Sequence, residues 1–364
     1  MERFLIINPF GIGDVLFATP VIENIKFAYP DSFIGYWCNE RVEDIIANNP
    51  HINKIFALSR GDIKKIYRKS WLQGFAGSIS LYFRLKKERF DVSLDYSLDH
   101  RYSLTAKFAG VKRRIGFNYR NRGRFLTNKI DLTGYSDKHV VEYYLDLLRL
   151  INITPKKFAL QLKASDGEKA AARKILAGCG VNDGDLLIGI APGAGASWGI
   201  DASLKHWPRR HFAGLADKLI ESYGAKILIL GDTSERLIAQ EITRGMRNKA
   251  VDLAGKTKLS ELIAIIDNLE VLIANDGGPL HMAAALNKKT VSFFGPVDPK
   301  VYGPYPSNEK RHIVLRRNLE CSPCYRDFRL NKCIENRDCL EKIDIEQALE
   351  AVSNLLSTGE ELKK

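Results

Sequence analysis

Hydrophobic positions along the chain fall into two alternating textures. Short unbroken apolar runs, such as Phe4-Leu5-Ile6-Ile7 and Leu186-Leu187-Ile188-Gly189-Ile190, end against Gly, Pro, Asn or Asp. Runs of that length without polar alternation predict strands covered on both faces. The segments between them carry apolar residues three and four apart, the spacing of a helix with one buried face. In the first half this predicts strands at 3–8, 32–37, 54–58 and 91–94. Helices are predicted at 14–29, near 41–48, at 102–109 and at 138–151, and residues 152–161 read as a linker. The second half restarts the scheme. Strands are predicted at 185–191, 226–230, 270–274 and 290–294, and helices at 209–223, 235–247, 259–267, 279–286 and 346–356. Strand alternating with helix is the pattern of a parallel sheet with helices on both faces. The expectation is an α/β chain of two Rossmann-like domains, 1–160 and 161–340, followed by a C-terminal segment, 341–364. Such a pair places a ligand cleft at the C-terminal edges of its sheets.

Composition agrees with a globular chain. Of 364 residues, 45% are hydrophobic and 27% charged, and no stretch approaches the roughly 18 consecutive apolar residues of a membrane span. The apolar run at 4–7 is too short for a signal peptide, so the sequence reads as cytosolic. The formal charge of +12 is local: residues 60–90 hold nine bases against Asp62 and Glu88, and residues 111–124 hold six bases and no acid. Concentrated positive charge recruits polyanions. No helix-turn-helix, zinc-finger or RNA-recognition signature is present, which disfavours nucleic acid and leaves an anionic substrate or an anionic membrane surface. Segment 60–90 interleaves its bases with Tyr67, Trp71, Phe75, Tyr82 and Phe83, a mixture that suits lipid headgroups. An ordinary helix packed on a sheet explains the same residues.

Familiar short motifs fail. Gly11-Ile12-Gly13 follows a strand, but the third glycine of a dinucleotide fingerprint would stand at 16, which is Leu16. Gly255-Lys256-Thr257 lacks the earlier P-loop glycine, because position 250 is Ala250. Three other segments combine glycine turns with charge. In Asn8–Thr19, Gly11 and Gly13 let backbone approach a ligand and put Asp14 in the first turn of a helix, as a cap or as a general base. In Ala191–Pro208, a long glycine-rich loop precedes Lys205, an arrangement suited to a diphosphate. In Asn275–His281, Asp276 ends a strand, Gly277 and Gly278 turn the chain, and Pro279 opens a helix whose N-terminus can receive phosphate. His281 lies one turn inside that helix.

These segments, with GIGDVLFATPVIENIK, DLAGKTKLSEL, NDGGPLHMAAAL and FFGPVDPKVYGP in this order, resemble glycosyltransferase family 9, the ADP-heptose:lipopolysaccharide heptosyltransferases, over nearly the whole chain. The resemblance implies a GT-B fold, two Rossmann-like domains with parallel sheets facing a central cleft. It places the acceptor on the first domain and the nucleotide sugar on the second, with the closing helix of 341–364 crossing back to the first. It implies an inverting, metal-independent transferase with no cofactor required for catalysis. Asp14 matches the proposed base, Lys205 the diphosphate-binding lysine and Asp276 a donor-sugar contact. Gly13, Gly277, Gly278 and His281 fall in donor-binding positions, and Glu235 lies where ribose hydroxyls are held. Arg113, Arg114, Arg120, Arg122 and Arg124 become candidates to hold the carboxylates and phosphates of an inner-core glycolipid acceptor at the inner face of the cytoplasmic membrane. A family member using a UDP- or GDP-linked sugar, and a non-catalytic sugar-nucleotide binder, are the alternatives.

Cys321, Cys324, Cys333 and Cys339 stand within nineteen residues. In a cytosolic chain four such thiols make a candidate structural zinc set, although the second pair departs from the CxxC spacing; free thiols and disulfides are the alternatives.

Overall fold

The computed structural model describes residues 1–58 and 81–357. Contacts divide the chain into two units, Met1–Gln161 and Leu162–Lys364. No helix among the described residues is long and apolar enough to cross a membrane.

The first unit is built on a six-stranded sheet. Its strands are β1 (Arg3–Asn8), β2 (Phe33–Cys38), β3 (Lys54–Ala57), β4 (Val92–Asp95), β5 (Arg113–Tyr119) and β6 (Asn128–Leu132). The order is β3-β2-β1-β4-β5-β6 and every pairing is parallel. Phe4 to Ile7 are at most 1% exposed, as an apolar run at the centre of a sheet covered on both faces requires. The helix predicted from 14 to 29 is instead two helices, α1 (Ile12–Phe17) and α2 (Thr19–Ala28). Pro20 has no N–H to offer the Leu16 carbonyl, and the Thr19 hydroxyl donates to that oxygen instead, at 2.7 Å. The same hydroxyl accepts from the Gln161 amide at 2.9 Å, and Asn24 pairs in both directions with the Lys156 backbone, so the stretch read as a linker is strapped to α2. Helices α3 (Asp44–Ala47), α4 (His100–Phe108) and α5 (Val140–Arg149) complete the unit's labelled elements.

The second unit opens with α6 (Asp166–Gly178), capped reciprocally by Ser165 and Glu168. Its sheet contains β7 (Leu187–Ala191), β8 (Lys226–Ile229), β9 (Val251–Asp252), β10 (Val271–Asn275), β11 (Lys289–Phe293) and β12 (His312–Leu315), in the order β12-β11-β10-β7-β8-β9. Helices α7 (Arg209–Tyr223), α8 (Arg236–Gly245), α9 (Leu259–Asp267) and α10 (Gly278–Ala285) alternate with these strands. Short helices α11 (Pro299–Tyr302) and α12 (Asp338–Glu341) and the hairpin β13 (Tyr325–Arg326) and β14 (Arg329–Leu330) follow. Counted from the start of each unit, both sheets have the doubly wound order 3-2-1-4-5-6.

The last helix is α13 (Ile345–Ser357). Its apolar face of Ala348, Ala351, Val352 and Leu355 belongs to the second unit's core, beside Phe212 and Phe293. Lys218 pairs with Glu346 at 2.7 Å, and Tyr223 meets Ser353 at 2.6 Å. These contacts make the helix part of the second unit's core.

Candidate active site

In the second sheet β7 and β10 are neighbours, and the chain leaves them toward opposite halves of the sheet. A crevice opens at the carboxyl ends of such a pair, the switch point of a doubly wound sheet. Asn275, the last residue of β10, holds its rim together. Its side-chain oxygen accepts from the Trp207 amide at 2.9 Å, and its amide donates to the Pro192 carbonyl at 2.6 Å. One buried side chain thus ties both ends of the glycine-rich loop 192–207 to the strand. Trp207 is anchored further by its indole N–H on the Ile343 carbonyl at 2.9 Å and by stacking on Phe293, with centroids 4.1 Å apart. Two residues before this anchor is Lys205.

Lys205 is only 6% exposed, and its ammonium lies 2.6 Å from the Asp276 carboxylate and 4.8 Å from the centre of the Trp198 ring. His281 Nε2 is 3.8 Å from the other carboxylate oxygen. Burial opposes the charge on Asp276, but Lys205 and His281 outweigh it and hold the carboxyl below its ordinary range. His206 is not a second cation: burial, then Arg209, Arg337 and Lys205, push its pKa down to about 4. Gly277 caps α10 in an extended conformation, where an added Cβ would stand 3.3 Å from the Ala194 backbone; glycine lets the two loops pack together. Lys205, Asp276, Gly277, Gly278 and His281 therefore share one location.

Glu235 is engaged by backbone amides. Its carboxylate accepts from the Gly195 amide at 3.1 Å and the Asp232 amide at 3.0 Å. A Cβ on Gly193 would land on that carboxylate. Burial raises the pKa of Glu235 against the pull of these amides. The residue clasps the glycine-rich loop, and its oxygens are engaged by backbone.

In the first unit, Asp14 sits half-buried in α1, after Gly13. The Asn8 amide donates to the Asp14 carbonyl at 2.8 Å, and the Tyr36 hydroxyl donates to the Val15 carbonyl at 3.4 Å. Gly11 caps α1 with no side chain, and a Cβ there would lie 4.0 Å from an Asp14 carboxylate oxygen.

The five arginines do not share a face. Arg113 and Arg114 open β5 at the sheet's amino edge, and Arg120 and Arg122 follow its carboxyl end, about 20 Å away at ~3.3 Å per residue. The Arg114 guanidinium is bound to the carbonyls of Val111 (2.5 Å), Lys112 (3.2 Å) and Phe125 (2.7 Å), which makes it a structural post. Arg113 lies 3.7 Å from Glu2. Arg120, Arg122 and Arg124 are exposed, and they lie against the Tyr119 and Phe125 rings. Of the basic run at 60–90, Arg60, Lys64, Lys65, Arg68 and Lys69 lie outside the described residues.

Nor does the fold close the cysteine set. All four thiols are free, and among the described residues no group of three or more His, Cys, Asp or Glu side chains is placed to hold a metal ion. Cys339 is packed beside Gly295, where an added Cβ would stand 3.0 Å from its sulfur, while Cys333 accepts from the Arg337 amide at 3.3 Å.

Sequence reasoning missed Asn275, Trp198 and the Asn8–Tyr36 clamp. Asn275 stood in plain view, at a strand end next to Asp276; the others depend on contacts far apart in sequence.

A family model described as glycosyltransferase family 9 (heptosyltransferase) matches residues 79–335. Lipooligosaccharide heptosyltransferase 2 of Haemophilus influenzae is 25% identical over 325 residues, covering 86% of this chain and 88% of its own. A glycosyl transferase family 9 structure from Veillonella parvula superposes with a TM-score of 0.82 at 23% identity, covering 98% of this chain and 97% of that one. The ADP-heptose lps heptosyltransferase II of Escherichia coli superposes at 0.77 and 22% identity, covering 99% and 100%. The expected GT-B class, with two Rossmann-like units, stands on these superpositions and on the two sheets.

Proposed function

This chain belongs to glycosyltransferase family 9, and from that premise we propose that it moves a heptosyl residue from ADP-heptose to an anionic inner-core glycolipid, with inversion and without a metal ion. The observation that carries the reading is the buried Lys205–Asp276–His281 group at the switch point of the second sheet. The name of the Escherichia coli neighbour, which includes ADP-heptose, supports the choice of donor.

Before donor arrives, Asp276 neutralises the Lys205 ammonium. An incoming diphosphate offers that ammonium a stronger anionic partner, and the first amides of α10 add fixed dipoles directed at it. The carboxylate released from Lys205 is then available to the donor sugar's hydroxyls. As the glycosidic bond breaks, charge grows on the leaving diphosphate, where preorganised donors stabilise it without a divalent ion. Asp14, in the first unit, takes the proton from the attacking acceptor hydroxyl. A single displacement inverts the anomeric centre.

The test is heptosyl transfer to a truncated lipopolysaccharide. Asp14→Asn is expected to cut kcat by about 10²–10⁴ with ADP affinity intact. Lys205→Ala is expected to weaken ADP binding by about tenfold or more, the scale of a lost charge-assisted hydrogen bond, and EDTA to leave the rate unchanged. Near-wild-type turnover in Asp14→Asn, unaltered ADP affinity in Lys205→Ala, or a rate that chelation abolishes would each remove the corresponding assignment. A preference for UDP- or GDP-sugars in a thermal-shift screen would replace the donor.

For the acceptor side, we read Arg120, Arg122 and Arg124 as anion contacts, and the chain as peripheral to an anionic membrane surface at the cytoplasmic face. A cavity of about 700 Å³ lined by Lys86, Lys87, Arg89, Lys112 and the exposed Phe83 supports the membrane reading. Sedimentation with anionic vesicles should fade as salt screens the charges and weaken in Arg120→Ala/Arg122→Ala, whereas Arg114→Ala should lower the melting temperature alone. Salt-insensitive sedimentation would count against it.

A further inference from the structure

The segment between β12 and α13 is pinned just beyond the carboxyl end of β11. The Ser322 hydroxyl donates to the Gly295 carbonyl at 2.7 Å, and the Tyr325 amide donates to the Pro296 carbonyl at 2.8 Å. From this anchored segment two side chains reach the glycine-rich loop 192–207. The Tyr325 ring lies 4.9 Å from the ring of Trp198, which itself neighbours the Lys205 ammonium. The second contact is more directed. One nitrogen of the Arg337 guanidinium donates to the Ser203 carbonyl at 2.8 Å and to the His206 carbonyl at 3.3 Å. Those two carbonyls bracket Lys205, one standing two residues before it and the other one residue after it.

Local propensity gives no reason for an arginine at 337. Its backbone is left-handed, with φ 65°, at the start of α12, a conformation that glycine or asparagine adopts with less strain. The side chain supplies the reason. Its other terminal nitrogen pairs with Glu341, the last residue of α12, and Glu341 also meets Arg210 of α7 at 3.1 Å. The Arg337 amide donates to the Cys333 sulfur at 3.3 Å. The guanidinium is thus held by a carboxylate on one side and turned to the loop on the other. Such a planar, charged fork gives hydrogen bonds of fixed direction. A lysine stem is flexible, so where its ammonium rests depends on how firmly the backbone beneath it is held.

We propose that Arg337 is a positioning residue for Lys205, fixing through the Ser203 and His206 carbonyls the backbone that carries the diphosphate-binding ammonium. The inference rests on the reading of Lys205 as that group. It gives the segment that bears Cys333 and Cys339 a part in the donor site, although no side chain of the segment needs to touch the donor.

Arg337→Asn suits the left-handed backbone and removes the guanidinium. ADP affinity measured by calorimetry should fall by about five- to tenfold, and the donor KM should rise while the acceptor KM stays unchanged. Arg337→Lys keeps the charge and one donor group, should recover part of that affinity, and covers the case of a poorly folded Asn variant. In a Lys205→Ala background, Arg337→Asn should change ADP affinity by less than about twofold, because the group it positions is gone. Wild-type ADP affinity in Arg337→Asn, or a loss of the same size in both backgrounds, overturns this inference and leaves Lys205 its role. Unaltered ADP affinity in Lys205→Ala alone overturns the reading of Lys205, and this inference with it.

Discussion

At the scale of single residues, the switch-point crevice of the second sheet is held by groups that neutralise or clasp one another. A buried ammonium and carboxylate are tolerable together and costly apart, so the Lys205–Asp276 contact keeps the Lys205 cation desolvated. Glu235 performs a similar service for backbone. Its two oxygens gather the Gly195 and Asp232 amides, and this is feasible only because position 193 carries no side chain. Gly193→Ala should displace that carboxylate, free both amides and loosen the loop that leads to Lys205. We expect a loss of about 1–3 kcal/mol in urea unfolding, the range for unsatisfied buried groups, together with weaker ADP binding by calorimetry. Adding Glu235→Ala should make the double variant less unstable than the two separate losses predict, because both changes act on one contact. A Gly193→Ala protein that melts and binds like wild type would show that the clasp has no such role.

At the scale of elements, what the sequence revealed depended on whether local pattern and burial agreed. The central strands β1, β7 and β10 were legible because their apolar runs are uninterrupted. The glycine turns at 11–13 and 277–278 were legible because each sits between a strand and a helix. Strand β5 was not, because Arg113 and Arg114 open it and Arg120 follows it, so its charge dominated the pattern and its Ile115–Phe117 core did not. Helix α6 was overlooked although its Ser165–Glu168 capping box is an explicit start signal. The break at Ala18 was written in Pro20, but the continuous helical spacing on either side concealed it. The destination of α13 was not legible, since an amphipathic helix advertises a buried face without naming its partner. Among site residues, Lys205 and Asp276 could be picked out separately from their glycine loops. That Lys205 and Asp276, 71 residues apart in sequence, form one ion pair is a property of β7 and β10 lying side by side.

At the scale of the whole molecule, the two units carry buried titratable groups of opposite sense. In the second unit His206 and His312 are pushed down to about 4, chiefly by burial, from an ordinary value near 6.5. Unfolding lets each take up a proton between those limits, so their contribution is complete above about pH 6.5 and is lost as pH falls toward 4. Each proton is worth about 1.4 kcal/mol per pH unit within that window. Glu235, raised by burial, returns part of this in the same unit. In the first unit Asp95, lifted to about 7, acts in reverse. The folded form keeps a proton that the unfolded form releases above about pH 4, so acidification from 7 stabilises it. Calorimetric scans at pH 7.5 and 5.0 should therefore move the second unit's transition down and the first unit's up. Asp95→Asn should remove the upward shift, and His312→Gln should reduce the downward one. Transitions that fall together by the same amount, and do so unchanged in both variants, would show that these buried groups do not govern the pH response.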